Sequence, residues 1–159
     1  MSKVKWGVIG AGGIADRRTI PGMMLAKNAE LVAVMEVNKE LAEKIRAKYN
    51  AKRAYDNVDD LLADEEVQAV YIASPVIYHK EQVIKAANAK KHILVEKPVA
   101  FSVEDGKELV ELCKKNNVLI ATRVYDEIPC LSSGNEKAGF RRQARTNRIL
   151  QSAADLLVS

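Results

Sequence analysis

The residue group best suited to bind a small molecule is Gly10-Ala11-Gly12-Gly13-Ile14-Ala15. It directly follows the apolar run Val4–Ile9 and precedes a helical pattern. Because glycine has no Cβ, such a turn lets backbone N–H groups and the positive end of a helix approach a pyrophosphate. The turn therefore predicts the phosphate-binding loop of a dinucleotide site. Its candidate contacts are Gly10, Gly12, Gly13, Ile14 and Ala15.

Glu36 is the candidate that selects the cofactor. It ends the second apolar run, Leu31–Met35, and lies 21 residues past Ala15. A carboxylate at the end of the second strand accepts hydrogen bonds from both ribose hydroxyls and repels an added phosphate. Asn38 could assist, and no arginine follows at once to bind a 2′-phosphate. The pattern favours NAD over NADP, while a solvated loop charge is the alternative interpretation of Glu36.

A second chemical group, Glu96-Lys97-Pro98, directly follows the predicted strand His92–Val95. Ligands of parallel sheets bind beyond the carboxyl ends of the strands, so these residues should face the same crevice as the glycine loop. Lysine can orient a hydroxyl or stabilise a developing alkoxide, and proline fixes the turn that directs it. Lys97 is the candidate catalytic residue, and the alternative is an ordinary surface lysine.

The alternation of apolar runs and helical patterns predicts the elements that position these groups. We expect strands near 4–9, 31–36, 68–73, 92–95 and 118–121, and helices near 13–26, 39–49, 58–63, 78–89 and 103–115. This order is typical of a doubly wound parallel α/β sheet of about six strands, the Rossmann fold. One dinucleotide-binding domain is therefore predicted over residues 1–122.

Two helices show further signals. Pro21 should occupy a first-turn position and divide the first helix into two pieces. Ser102 should cap the last helix through a capping box with Asp105. The apolar positions of that helix predict its buried face, and they are Val103, Leu109, Val110 and Leu112.

Composition narrows the class of protein. The net charge of +4 over 159 residues is small and scattered, which argues against a nucleic-acid partner. Cys113 and Cys130 fit neither a metal site nor a disulfide framework, and a strand begins without a signal peptide. These features favour the cytoplasm. No apolar stretch approaches the roughly 20 residues that cross a bilayer, so no membrane partner is expected.

Over residues 4–122 the chain resembles the glucose-fructose oxidoreductase / inositol dehydrogenase family, Gfo/Idh/MocA. The resemblance depends on Gly10–Ala15, Val32–Glu36, the run Ala73-Ser74-Pro75-Val76-Ile77-Tyr78-His79, and Glu96-Lys97-Pro98. It implies a sugar-like substrate and a nicotinamide cofactor.

The resemblance also implies positions for the remaining site residues. Ser74, Pro75 and His79 would line the cofactor crevice, while Glu96 and Lys97 would lie by the nicotinamide, with Lys97 touching the substrate. Val76 stands where the family often has asparagine, which removes one polar contact to the cofactor. A structural role for His79 is an equal alternative, and His92 is expected to be structural.

Family members are roughly twice this length, with a second α/β domain that holds substrate contacts and subunit interfaces, which leaves a homo-oligomer possible. That domain also supplies an Asp and a His, the proton acceptor for a sugar hydroxyl. This chain has no histidine after His92. The resemblance thus implies a second domain that is absent or truncated, and a chain that binds cofactor better than it catalyses.

Residues 123–159 depart from the family pattern, and we hypothesise that they are translated in the wrong frame. Codons for Arg123–Pro129, read one nucleotide later, can encode Gly-Tyr-Met-Met-Arg-Phe-His, which resembles the family sequence after this strand. Codons for Gly139–Arg145 can likewise encode Val-Ser-Glu-Gly-Lys-Leu-Gly. The tail is otherwise expected to form a loop and then a basic helix.

Three functions compete. The leading hypothesis is the NAD-binding half of a sugar or polyol dehydrogenase. The alternative is a non-catalytic dinucleotide-binding module. A third interpretation takes Phe140–Arg148 as an interaction helix for an acidic partner or nucleic acid, although charge runs are usually solvated.

Overall fold

The computed structural model describes residues 3–122, which form a six-stranded parallel sheet with helices on both faces. The strands are β1 Val4–Ile9, β2 Ala29–Met35, β3 Arg53–Tyr55, β4 Ala69–Ile72, β5 His92–Val95 and β6 Ile120–Thr122. Their order is β3-β2-β1-β4-β5-β6, and every neighbouring pair is parallel. The predicted doubly wound fold is confirmed.

The helices are α1 Ile20–Leu25, α2 Lys39–Tyr49, α3 Val58–Ala63, α4 His79–Asn88 and α5 Val103–Asn116. A π-helical turn, Ala15–Thr19, leads into α1, and Pro21 lies in the first turn of α1. Proline has no N–H to donate to the preceding turn, which accounts for the change of helical geometry there. The predicted division of the first helix at Pro21 is confirmed.

The strand β3 was absent from the predicted elements. It has three residues, all partly buried, and it pairs only with the end of β2, through Ala33, Val34 and Met35. An edge strand this short has no apolar run to reveal it. Tertiary pairing with β2 therefore determines it more than local sequence does.

Alternating strand residues enter two cores, one on each face of the sheet. Val8, Tyr71 and Leu94 belong to the first core, and their neighbours Ile9, Ile72 and Val95 belong to the second. All six are at most 1% exposed. The strand order reverses between β1 and β4, so the connections after these strands leave toward opposite faces and open a crevice at the carboxyl ends.

The last helix begins as predicted, but its buried face is different. The Ser102 hydroxyl accepts a hydrogen bond from the Asp105 N–H at 3.1 Å. Val103 and Val110, however, are 67% and 39% exposed, and the fully buried side chains are Leu109 and Cys113. Leu109 and Cys113 are four residues apart and share one helical face, whereas Val103 and Val110 lie on another.

An ionic network joins the amino-terminal ends of several strands, at the edge of the sheet opposite the crevice. Arg53 at the start of β3 contacts Asp64 and Glu66, both at 2.6 Å, and Lys5 of β1 contacts Glu66 at 3.0 Å. Lys52 also pairs with Glu66. Hydrogen bonds from Lys52, Arg53 and Lys5 lower the pKa of Glu66 to about 2.

The predicted tail, 123–159, with Cys130 and the basic helix, lies outside the described residues. Among the helices within residues 3–122, none is long and apolar enough to span a membrane.

Candidate functional site

The glycine loop is fixed to the end of β2. The N–H groups of Gly10 and Ala11 both donate to the Met35 carbonyl at 3.0 Å. Gly10 has φ +73°, and a Cβ there would lie 2.7 Å from the Ser74 nitrogen. Only glycine lets the loop pass this close to the segment after β4.

Glu36 lies against the same loop. One carboxylate oxygen accepts from the Gly12 N–H at 3.0 Å, and the other accepts from its neighbour Val37 N–H at 3.0 Å. A Cβ on Gly12 would lie 2.9 Å from the first oxygen. The carboxylate is thus held beside the loop, partly exposed at the mouth of the crevice.

Asn38 begins α2. Its side-chain oxygen accepts from the Leu41 N–H at 3.0 Å, which is the usual bond of a helix N-cap. The oxygen is therefore engaged with the protein, and a contact to a cofactor falls to the amide group.

The other end of the loop enters the π-helical turn. Gly13 has φ +58°, and its carbonyl accepts from Arg17 Nε at 3.0 Å. Ile14 immediately precedes the turn, while Ala15 is fully buried against the core. Ala15 thus packs the start of the turn close to the sheet.

A buried hydrogen-bond chain reaches Glu96 from the π-helical turn. The Thr19 hydroxyl donates to the Tyr71 hydroxyl at 2.9 Å, and the Tyr71 hydroxyl donates to a Glu96 carboxylate oxygen. The second Glu96 oxygen accepts from the Lys97 N–H at 3.3 Å. Glu96 is only 7% exposed, so its carboxylate acts as an anchor for the backbone at Lys97.

Sequence reasoning missed Thr19 and Tyr71. Both are fully buried, although each carries a hydroxyl. Buried hydroxyls are almost always hydrogen-bonded. The signal was a tyrosine inside the otherwise apolar β4, Ala69–Ile72, which implied a polar partner nearby.

Lys97 follows this anchor, and its side chain is exposed at the carboxyl end of β5. The Lys97–Pro98 peptide bond is cis. Across the crevice, Ser74 follows β4, and its hydroxyl donates to the Gln82 side-chain oxygen. Pro75 begins the short 3₁₀ turn Val76–Tyr78 that leads into α4.

His79 is buried, unlike a side chain that contacts a bound molecule at the surface of the crevice. The ring is 1% exposed. Its Nδ1 lies 2.8 Å from the Pro98 carbonyl oxygen, and its Nε2 lies 2.9 Å from the Ser74 carbonyl oxygen. His79 therefore links the segments after β4 and β5 from beneath the crevice.

His92 is at the amino end of β5, remote from these groups in the sheet. Its Nδ1 accepts from the Leu119 N–H at 3.1 Å. Burial lowers the pKa of this imidazole. Both observations describe a neutral ring that supports the pairing of β5 with β6.

The fold brings the predicted groups to one edge. The glycine loop, Glu36, the Ser74 segment and the Lys97 segment follow β1, β2, β4 and β5, four adjacent strands. Such an edge can bind an extended dinucleotide and present a lysine to a second molecule. Within residues 3–122, no group of three or more His, Cys, Asp or Glu side chains could hold a metal ion.

The comparison with known proteins gives one family and several relatives. The family model GFO_IDH_MocA, described as an oxidoreductase family with an NAD-binding Rossmann fold, matches residues 4–124. Glucose-6-phosphate 3-dehydrogenase of Bacillus subtilis is 38% identical over 114 residues, which cover 72% of this chain and 31% of that protein. Myo-inositol 2-dehydrogenase of Thermotoga maritima is 32% identical over 116 residues, 73% of this chain and 34% of that protein.

A similar solved structure is the 3-ketoreductase KijD10 of Actinomadura kijaniata, in complex with TDP-benzene and NADP. It has a TM-score of 0.74 and 26% identity, over 76% of this chain and 38% of that one. The chain spans about a third of the length of the curated relatives it matches.

Proposed function

Because the chain belongs to the Gfo/Idh/MocA family of oxidoreductases, we propose that it is the cofactor-binding part of a nicotinamide-dependent sugar or polyol dehydrogenase. The observation that supports this most is the Glu36 carboxylate, held 3.0 Å from the Gly12 N–H at the end of β2. The relatives that match act on glucose 6-phosphate and myo-inositol by name, which favours a polyhydroxylated substrate.

The residues present fit a dinucleotide. Alanine at Gly10 would meet the Ser74 backbone and alanine at Gly12 the Glu36 carboxylate, both within 3 Å, whereas nothing lies within 4 Å of a Cβ added at Gly13. The loop is thus packed tightly against its neighbours at Gly10 and Gly12 and open at Gly13, where a pyrophosphate could approach the backbone. Gly10, Gly12, Gly13, Ile14 and Ala15 would hold the phosphates. Ser74, Pro75 and Glu96 would border the remainder of the cofactor, whose nicotinamide exchanges a hydride with the substrate.

We propose that this cofactor is NAD. A solved neighbour holds NADP, so the choice depends on the residue at the end of β2. Here that residue is Glu36, whose negative charge would repel a 2′-phosphate and accept from a free ribose hydroxyl. Asn38 would assist through its amide group.

Lys97 is proposed to bind and polarise the substrate oxygen. Its ammonium group is exposed at the crevice, and its backbone is anchored by Glu96. A cation at this position stabilises the alkoxide that forms when a hydroxyl loses its proton.

A histidine base is not available among the described residues of this crevice. His79 has both ring nitrogens against carbonyl oxygens, and His92 lies at the opposite end of β5. Oxidation of an alcohol needs a base within hydrogen-bond reach of the leaving proton. We therefore propose that the 159-residue chain binds NAD(H) but has negligible dehydrogenase turnover.

Fluorescence titration with NADH and NADPH tests the cofactor proposal. Glu36→Gln keeps the shape of the side chain and removes its charge, so the preference for NADH should fall. Glu40→Gln, an exposed glutamate in the first turn of α2, is the matched control and should leave the preference unchanged. Equal affinities of the wild-type chain for both cofactors would contradict the role of Glu36.

A turnover assay with a panel of sugars and polyols tests the catalytic part. Measurable NAD(H) binding without turnover supports a half-enzyme or a non-catalytic binding module. Restoring the alternative frame after residue 122 separates these two, since only the half-enzyme should gain activity. Sequencing the coding DNA tests the frame hypothesis directly: a stop codon in the shifted frame within the tail would eliminate it.

A further inference from the structure

We propose that the guanidinium group of Arg17 binds a diphosphate at the open side of the glycine loop, beside Gly13. Arg17 would then add a charged side chain to a loop that otherwise offers only backbone groups to an anion. This inference rests on the proposed function, because the diphosphate in question is that of the proposed dinucleotide.

Arg17 is attached to the glycine loop through one nitrogen of its side chain. It lies in the π-helical turn Ala15–Thr19, and its Nε donates to the Gly13 carbonyl at 3.0 Å. The two terminal nitrogens of a guanidinium form a planar pair of donors that matches phosphate oxygens. Arg17 is exposed, and within residues 3–122 these terminal nitrogens have no hydrogen-bond or ion-pair partner. The carbonyl thus holds a group whose remaining donors are available to a ligand.

Gly13 is the open position of the loop. No atom of the described residues lies within 4 Å of a Cβ added there. A Cβ at Gly10 would lie 2.7 Å from the Ser74 nitrogen, and one at Gly12 would lie 2.9 Å from a Glu36 oxygen. The glycine with free space beside it is therefore also the glycine whose carbonyl holds Arg17.

The charges around the loop favour a cation at this position. The Glu36 carboxylate accepts from the Gly12 N–H at 3.0 Å and adds a negative charge next to the loop, which opposes the binding of an anion. Asp16, the residue before Arg17, is paired with Lys48 at 2.8 Å. Arg17 has no carboxylate partner within residues 3–122, so its charge remains available to offset that of a diphosphate.

Arg18 provides a matched control. It is the next residue of the same turn, it is also exposed, and within residues 3–122 it forms no hydrogen bond or ion pair through its side chain. Adjacent residues of a helical turn do not face each other, so Arg18 brings the same charge without the contact to Gly13. Arg18→Gln therefore separates a direct contact by Arg17 from a general effect of positive charge.

Titrations with NADH, ADP and adenosine test the proposal, because ADP contains the diphosphate and adenosine does not. In Arg17→Gln the affinities for NADH and ADP should fall about tenfold or more, as a charged hydrogen bond to phosphate is lost. The affinity for adenosine, followed by backbone amide chemical shifts, should stay as in the wild type. In Arg18→Gln all three affinities should stay unchanged.

Three results would overturn the proposal. Unchanged ADP affinity in Arg17→Gln would show that Arg17 does not contact the diphosphate. An equal loss in Arg18→Gln would show a general effect of charge. A loss of adenosine affinity as large as that of ADP would show that Arg17 only supports the loop.

NMR of the wild-type chain labelled with ¹⁵N-arginine tests the contact without a substitution, and it decides the matter if Arg17→Gln does not fold. The Nε–H signal of Arg17 should shift on addition of ADP and stay in place on addition of adenosine, while the signal of Arg18 should stay in place with both. An Arg17 signal that does not respond to ADP would refute the contact.

The same titrations keep this result separate from the proposed function. A wild-type chain that binds ADP through Arg17 but does not bind NADH supports the diphosphate site and contradicts the nicotinamide cofactor. A chain that binds NADH equally well with and without the Arg17 guanidinium contradicts the role of Arg17 alone. Failure to bind both NADH and ADP contradicts both proposals.

Discussion

Replacing Gly10 with alanine should lower the unfolding free energy of the domain far more than the same change at Gly13. Both glycines have positive φ, +73° at Gly10 and +58° at Gly13. An alanine in the left-handed region costs about 1–2 kcal/mol at either position. At Gly13 nothing lies within 4 Å of the added Cβ, so that conformational cost is the whole effect.

At Gly10 the added Cβ would meet the Ser74 backbone, its nitrogen at 2.7 Å and its Cα at 2.8 Å. A backbone cannot rotate away as a flexible side chain does, and relieving such an overlap costs about 1–3 kcal/mol more. Gly10→Ala should therefore lose about 2–5 kcal/mol of unfolding free energy, against about 1–2 kcal/mol for Gly13→Ala.

Gly12 completes the series, because its added Cβ would meet side-chain atoms and no backbone: the Glu36 carboxylate at 2.9 Å and Leu41 Cδ2 at 3.4 Å. This carboxylate can swing aside, so Gly12→Ala should retain most of its stability and lose affinity for NADH. Urea unfolding followed by circular dichroism measures stability, and fluorescence titration measures affinity. Equal losses of stability at Gly10 and Gly13 would refute the close approach to Ser74 as the reason for Gly10.

Three other results are expected. In a chain with the frame restored after residue 122, Lys97→Ala should lower kcat about 100-fold or more while the Kd for NADH stays nearly constant. A loss of NADH affinity as large as the loss of kcat would contradict a role of Lys97 confined to the substrate. Leu109→Ala should cost about 2–5 kcal/mol in urea unfolding, and Val110→Ala, on the exposed face, less than about 0.5 kcal/mol. Since the pKa of Glu66 is lowered to about 2 in the folded state, its contribution to stability is present above its ordinary pKa of 4.5 and is lost as the pH falls toward 2. Acid titration of Glu66→Gln should show a smaller loss of stability over that range, and an unchanged profile would contradict the assignment.

Local sequence predicted the parts of the fold that depend on long apolar runs. The glycine loop and Glu36 follow strands of six and seven residues that are mostly buried, and the sheet places them together. The three-residue β3 escaped prediction because its pairing with β2 is a tertiary effect. Val103 and Val110 were wrong as core positions because apolar identity does not determine which face of a helix meets the sheet.

The contacts beneath the site could not be predicted for a related reason. The Thr19–Tyr71–Glu96 chain joins residues 52 and 25 positions apart. No spacing rule connects such residues before the fold is known. The roles predicted for the site residues themselves stay predictions until cofactor and substrate are measured.

The ionic network at the amino-terminal edge has a consequence for adaptation to heat. Networks of ion pairs contribute more to folding stability at high temperature, because the hydration of the separated charges becomes less favourable as the temperature rises. Lys5 lies near the start of β1 and Arg53 at the start of β3, while Asp64 and Glu66 lie in the segment before β4. The opposite ends of β1 and β4 lead into the glycine loop and the Ser74 segment. Thermal tolerance can therefore be raised or lowered by substitutions at one end of the sheet, without any change to the residues at the other end.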